Sequence, residues 1–198
     1  MLSLVLELCG GQTPAQQDLP VASFGTTVVS PAGLRGEVYH IPAHTTRLPR
    51  FDKLKSRGSI YVDSLNIPAR DFTDGFPGVT KRAEWFAIDY TGRFWIEKPG
   101  QYGFSLTSDD GSILYIDDRV VIDNDGVHPP IEKTETITLE GGIHFIHVSY
   151  FQGPRSAIAL VLRVAGPGEE WRIFSTDELR PPPNPEDWKW GKGRSDNR

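Results

Sequence analysis

Hydrophobic and polar residues alternate along most of this chain, and the alternation stops at short clusters of Gly, Pro and Asp. Period-two runs mark half-buried strands, and such clusters mark turns. The pattern is densest from Tyr102 to His128, YGFSLTSDDGSILYIDDRVVIDNDGVH. Tyr102, Phe104 and Leu106 alternate with small or polar residues until Asp109-Asp110-Gly111 interrupts them. Ile113 to Ile116 is an apolar run that reads as a strand buried on both faces. Asp117-Asp118 interrupts again, and Val120 to Ile122 resumes the strand pattern. The stretch predicts a small antiparallel meander with acids on its turns.

Strands are predicted along the rest of the chain too. Gly33 to Tyr39 reads as the first, and Ser59 to Val62 as a short one. Asn66 to Thr80 is loop by composition, pinned to the core by its phenylalanines. Ala83 to Glu97 is an aromatic-rich strand interrupted near Thr91-Gly92, with Trp85, Phe86, Phe94 and Trp95 as packing residues. Gly126 to Lys133 holds Pro129-Pro130 and is excluded as strand, and Thr134 to Leu139 alternates. Ile146, Val148 and Tyr150 share one face of Ile143 to Phe151, and Ile158, Leu160, Leu162 and Val164 line the last long strand. Trp171 to Phe174 closes the sheet. No amphipathic helix longer than about two turns emerges. Nine or ten short strands joined by turns make an all-β fold, a single antiparallel sandwich or barrel. The expected division is a leader over residues 1–31, a β domain over 32–178 and a Pro-rich, charged tail over 179–198 that is disordered or a connector. Thr26 to Val29 is a candidate edge strand within the leader.

Composition narrows the function classes. The 198 residues suit one domain with a core of its own. A lone cysteine, Cys9, excludes an internal disulfide. A net charge of −5 weighs against a nucleic-acid binder. No run of 18 apolar residues exists to span a membrane. Met1 to Leu8 resembles the stub of a signal peptide behind a misplaced start codon, interrupted by Glu7. Cys9-Gly10-Gly11 then invites a lipoprotein reading, although Leu8 stands where a small residue is expected; the alternative is an unpaired thiol in a floppy leader. The expected location is the secreted space or the cell envelope. Arg47 to Arg57 carries five basic residues in eleven and is either an anion patch or a solvated loop.

Catalytic signatures are missing. There is no G-x-S-x-G, H-E-x-x-H, P-loop or G-x-G-x-x-G, so a non-enzyme is expected. His144 and His147 lie three apart on a strand and point to opposite faces. His128 is a structural hydrogen-bonding histidine or a ligand. Asp123-Asn124-Asp125-Gly126 resembles part of an EF-hand loop, with Glu132 at the distance of its last position. Val121 at the first position and Pro129-Pro130 exclude an EF-hand and leave a non-helical calcium loop open. The clustered aspartates are either turn residues, whose side chains bond their own backbone, or oxygen donors to calcium.

Phe104-Ser105-Leu106-Thr107-Ser108-Asp109-Asp110-Gly111-Ser112, followed by Leu114 to Asp117 and Val121 to Asn124, closely resembles the core signature of the PA-14 family, named after anthrax protective antigen. Gly33 to Tyr39 is similar to its first strand, Phe94 to Phe104 to the segment entering the signature, and Leu139 to Phe151 to its glycine-turn strand ending in paired aromatics. The resemblance covers about residues 33 to 175. It implies a β-sandwich or barrel of secreted and surface proteins, several of which bind carbohydrate. In the fungal adhesin branch an adjacent Asp pair, joined by a cis peptide, coordinates calcium, which in turn holds sugar hydroxyls. The matching pair is Asp109-Asp110. The resemblance places further ligands in the loop Gln152 to Arg155, with Gln152 nearest to the family's Asn. Asp118 stands where the family usually has Gly. The expected reading is a non-catalytic, lectin-like domain with Ca2+ on Asp109, Asp110 and Gln152. Its glycan contacts are expected from Asp109, Asp110, Asp123, Asn124, Asp125, His128 and Arg155, with the Asp71 to Gly78 loop nearby. The alternative is a structural or protein-interaction module of a cell-surface assembly, reached through the leader and tail; an accessory domain cut from a hydrolase is a third.

Overall fold

The computed structural model describes residues 33–79, 82–155 and 157–189. Cys9, the leader with Thr26 to Val29, and the last nine residues of the tail lie outside them. Among the described residues the chain forms eleven strands: β1 (Leu34–His40), β2 (Ser56–Val62), β3 (Asn66–Asp71), β4 (Phe86–Ile96), β5 (Gly100–Asp109), β6 (Ser112–Ile116), β7 (Arg119–Asn124), β8 (Ile131–Leu139), β9 (Gly142–Gln152), β10 (Ala157–Ala165) and β11 (Arg172–Ile173). They build two antiparallel sheets. One runs β2-β1-β4-β9-β6-β7; the other runs β11-β10-β5-β8, with β3 also paired to β10. The inward residues of the two sheets form one core, including Leu34, Phe86, Ile88, Phe94, Phe104, Leu106, Val148 and Leu162. This is the all-β sandwich that the alternation predicts.

Four local expectations fail for physical reasons. Gly126 to Lys133, excluded as strand, supplies the start of β8: Ile131 to Lys133 pair with β5 directly after Pro130, since prolines just ahead of a strand take no place in its ladder. Ile113 to Ile116 is not buried on both faces: Leu114 and Ile116 point into the core while Ile113 and Tyr115 stay half-exposed. A four-residue apolar run is too short for periodicity to show which side is covered. β4 is not interrupted at Thr91-Gly92 and pairs with β9 through both residues. Gly92 makes room instead of a turn, because a Cβ there would lie 2.6 Å from Leu34 Cδ2. Asn66 to Asp71, read as loop, is an edge strand. Its Pro68 falls where the pairing with β10 slips, so its missing N–H leaves no ladder bond unmade. Phe76 beyond it is buried in the core.

Segment 41–55 crosses the outer face of the six-stranded sheet and seals a second, smaller core. Leu48, Phe51 and Leu54 pack there against Ile41, Ala87 and Phe151, with Tyr39 and Trp85 beside them. The first part of the C-terminal segment also lies on the domain. Trp95 N donates to Leu179 O and Ile143 N to Lys189 O, both at 2.7 Å.

The pairing brings the end of β5, the start of β6, the end of β7 and the end of β9 to one end of the sandwich. Ser112 pairs with both Asn124 and Tyr150 there. Among the described residues no helix is long and apolar enough to cross a membrane.

Candidate functional site

The turn from β5 to β6 carries Asp109-Asp110-Gly111, and the Asp109–Asp110 peptide bond is cis. Gly111 lets the turn press against its neighbours: a Cβ there would sit 2.4 Å from Phe151 Cε1 and 2.7 Å from Gly126 N. Only a residue without a side chain fits that contact. A buried polar layer supports the turn from below. Ser112 Oγ donates to Ser108 Oγ at 2.7 Å, and Asn124 Nδ2 donates to the same oxygen at 3.0 Å.

Both carboxylates are buried, but their surroundings differ. Asp110 joins two loops. Its Oδ2 accepts from Gly153 N at 2.7 Å and from Gln152 Nε2 at 3.3 Å, and its Oδ1 accepts from His128 N at 3.2 Å. Asp109 is 1% exposed, and neither of its carboxylate oxygens has a hydrogen-bond partner. Burial, and then the charge of Asp110, push the Asp109 carboxyl up to about 6. Asp110 is also raised by burial, against the pull of the Gly153 and His128 N–H groups. The Gln152 amide pulls the Asp109 value only part of the way back; a buried carboxylate beside another, with no donor within hydrogen-bond distance, is stabilised either by taking a proton or by a cation.

Tyr150 holds the frame around the pair. Its hydroxyl lies 2.6 Å from both Asp109 O and Gln152 Oε1 and donates its one proton to either. Burial pushes this phenol well above its ordinary value, with the two aspartates adding to the effect. Gln152 is buried and turns its amide nitrogen, not its oxygen, toward Asp110; the same nitrogen donates to Ala157 O at 3.1 Å.

The remaining expected residues surround this turn in different ways. Asp123 is exposed and closes a local turn, its Oδ1 accepting from Asp125 N at 3.0 Å. Asn124 is buried, and its amide also donates to Ile131 O at 3.0 Å, which makes it a tie between β7 and β8. Asp125 holds the crossing segment: its Oδ1 accepts from Leu48 N at 2.8 Å, and Arg47 lies 3.6 Å from its Oδ2. The ring nitrogens of His128 face two carbonyl oxygens, of Pro129 and Asn124, each at 2.9 Å. Its contribution to the pair is its backbone N–H. Arg155 is exposed, 3.3 Å from Glu84 and 5.7 Å above the Phe72 ring, so the Asp71 to Gly78 loop does meet the loop after β9. Among the described residues no group of three or more His, Cys, Asp or Glu side chains is arranged to hold a metal. A metal at the turn would therefore draw on two carboxylates plus neutral oxygens.

A family model described as the PA14 domain matches residues 54–174, well over half of the sequence. The chain belongs to the PA14 domain family. That match contains the aspartate turn, β9 and the loop after it. Solved structures share the fold. The PA14 domain of the MpAFP antifreeze protein aligns with a TM-score of 0.62 and 18% identity, over 74% of this chain and 88% of its own. The PA14 sugar-binding domain of an RTX adhesin aligns at 0.59 and 18%, over 73% and 96%. An anti-sigma factor domain-containing protein aligns at 0.61 and 24%, over 77% of this chain and 49% of its own, so this chain spans about half of that protein. No curated protein sequence matches the chain.

Sequence reasoning missed two elements of this site. The Tyr150 hydroxyl that links Asp109 to Gln152 carries no local motif. The Leu48 to Asp125 tie spans 77 positions and has no sequence signal at all.

Proposed function

We propose that this PA14 domain is a non-catalytic carbohydrate-binding module, located outside the cell or on its surface, whose Asp109-Asp110 turn takes a calcium ion. The observation that carries this reading is Asp109: two carboxylate oxygens, buried and unpartnered, next to a second carboxylate. In its charged form such a group is costly unless a cation joins it. The donors are hard oxygens, which suit calcium and leave coordination positions for water or sugar hydroxyls. Asp109 and Asp110 would hold the ion. Gln152, with its oxygen facing Tyr150 and its nitrogen on Asp110, braces the pair rather than adding a charge. When bound, the ion supplies an exchangeable site for vicinal hydroxyls. The loops Asp71 to Gly78 and Gln152 to Arg155 stand beside the turn and supply contacts that discriminate among sugars. The sugar-binding description of the adhesin domain supports the same ligand class. A site with two acidic side chains is a weak calcium site, and extracellular modules work at roughly 10⁻⁴–10⁻³ M calcium. That range favours a secreted or surface location.

The test is calcium calorimetry with thermal melting on the wild type and on Asp109→Asn. The expected result is binding and a higher melting temperature for the wild type, and neither for the variant, followed by calcium-dependent retention on a glycan array. At a calcium concentration 100 times Kd the folded state gains about 2.7 kcal/mol. A wild type that ignores millimolar calcium would sink the proposal.

A further inference from the structure

Segment 47–57 carries five basic residues and one acid, a net +4 in a chain whose net charge is −5. Its side chains sort by threes. Leu48, Phe51 and Leu54 turn inward onto the outer small core, and the Phe51 ring sits 5.1 Å from that of Tyr39. Arg47, Arg50 and Lys53 turn outward, with side chains 73%, 78% and 70% exposed. A 3-10 turn over Phe51–Lys53 sets Arg50 and Lys53 on one side, both close to Asp52. Lys55 and Arg57 continue the exposed row onto the edge strand β2. Asp52 offsets part of the charge, 3.1 Å from Arg50 and 3.9 Å from Lys53. The apolar residues anchor the ridge, so its charges are displayed from a fixed base.

The ridge begins at the aspartate turn. Asp125 accepts from Leu48 N on one side and packs with Gly126 against Gly111 on the other. A ligand seated at Asp109-Asp110 therefore lies next to Arg47, with Arg50 and Lys53 further along. We propose that the ridge is an extended subsite for an anionic glycan, one bearing carboxylate, sulfate or phosphodiester groups, and that such a glycan is the substrate class of this domain. The link to the turn rests on the calcium-site reading; the anion-binding ridge stands without it. A row of fixed charges suits a polyanion, which gains from releasing its counterions. A glycan fits better than nucleic acid or a bilayer. No aromatic face is free on the ridge to stack a base, since Phe51 points inward, and no apolar side chain points outward to enter lipid. The acidic remainder of the chain also repels a broad anionic surface, whereas a narrow chain touches the ridge alone.

Affinity electrophoresis in EDTA tests the ridge, with gels containing dextran sulfate, polygalacturonate, poly(glycerol phosphate) or neutral dextran. The expected result is retardation by an anionic polymer, identifying the group, and none by neutral dextran. Arg50→Glu with Lys53→Glu should weaken that binding roughly tenfold and flatten its salt dependence. Arg50→Lys with Lys53→Arg should keep it. Melting curves check that both pairs of exposed substitutions leave the fold intact. Equal binding by wild type and the charge-reversed variant overturns the proposal. So does retardation by no anionic polymer, or tighter binding to duplex DNA or phosphatidylserine vesicles. Calcium plays no part in these gels. A protein that binds here yet ignores calcium in the calorimeter loses the calcium site and keeps the ridge.

Discussion

Asp109-Asp110 and Asp117-Asp118 stand at the two ends of β6, and both interrupt an apolar run in the same way. Their carboxylates have very different partners. Asp117 accepts from Phe145 N at 2.9 Å and lies 2.6 Å from Nδ1 of His144, whose Nε2 faces Glu140 O at 2.8 Å. Both ring nitrogens of His144 thus face acceptors, an arrangement that favours the protonated ring. Burial alone would lower the His144 value, but Asp117 and the Glu140 carbonyl raise it; burial alone would raise Asp117, but His144 and Phe145 lower it. Asp117 is compensated by the protein. Asp109 is not, and its carboxyl moves the opposite way. Identical dipeptides can therefore be a structural clamp or, on the reading proposed above, a cation site, and the difference is which donors the fold brings within reach.

The sharpest way to break the comparison is to remove each acid in EDTA at pH 7. Asp117→Ala leaves the buried His144 without its carboxylate and should cost about 3–5 kcal/mol of unfolding free energy. Asp109→Asn removes a buried charge that has no partner and should add about 1–3 kcal/mol to the metal-free protein. Urea unfolding measures both. Two losses of similar size would mean that Asp109 has a compensating donor, and the cation argument would fail with the contrast.

Much of the fold was legible, because a half-buried strand writes its period into the sequence. β5, β7, β9 and β10 follow directly from alternation. The aspartate turn was legible as well, through local order of residues. Its partners were not. Gly153, His128 and Tyr150 reach the pair across 43, 18 and 41 positions, by hydrogen bonds that leave no periodic trace. Asn124 and Asp125 look like ligands in sequence for the same reason that they work as ties: short polar side chains at a strand end bond whatever is near. The Asp117–His144 pair was overlooked because Asp117 read as a turn residue, and the odd-even rule for His144 gives a face but no partner.

A pH profile sharpens the contrast with a smaller effect. The folded value of Asp109, about 6, lies above its ordinary 3.8, so its contribution is full at low pH and is lost as pH rises through about 6. His144 is raised from 6.5, so its contribution is full below 6.5 and is lost as pH climbs through its folded value. Asp117 is lowered from 3.8, so its contribution is present above that and is lost as pH falls through its folded value. In EDTA, stability should fall between about pH 4 and 6 because of Asp109, with Asp110, also raised by burial, adding to it, and fall again above that because of His144. Calcium selects the ionised carboxylates and should abolish the first fall only, while Asp109→Asn should shrink it to the part left by Asp110. A first fall that survives undiminished in Asp109→Asn would assign it to another group.

The smallest effect tests the backbone of the second turn. Asp117 and Asp118 have φ of +49° and +63°, the left-handed pair that a two-residue hairpin needs. Asp118 is exposed, so its backbone can be tested with little change in packing. Glycine at this position removes the crowding of Cβ, worth roughly 1 kcal/mol for a residue that tolerates the conformation, and adds about 0.5–1 kcal/mol of chain entropy to the unfolded state. These terms nearly cancel, so Asp118→Gly should change stability by about 0.5 kcal/mol or less. Asp118→Ala keeps Cβ and loses the local polar side chain, so it should cost about 1 kcal/mol. The order Gly, then Asp, then Ala, within a narrow span, is the signature of a position that only shapes the chain. A loss near that of Asp117→Ala would show that Asp118 also clamps, and the division of labour between the two residues of the pair would be wrong.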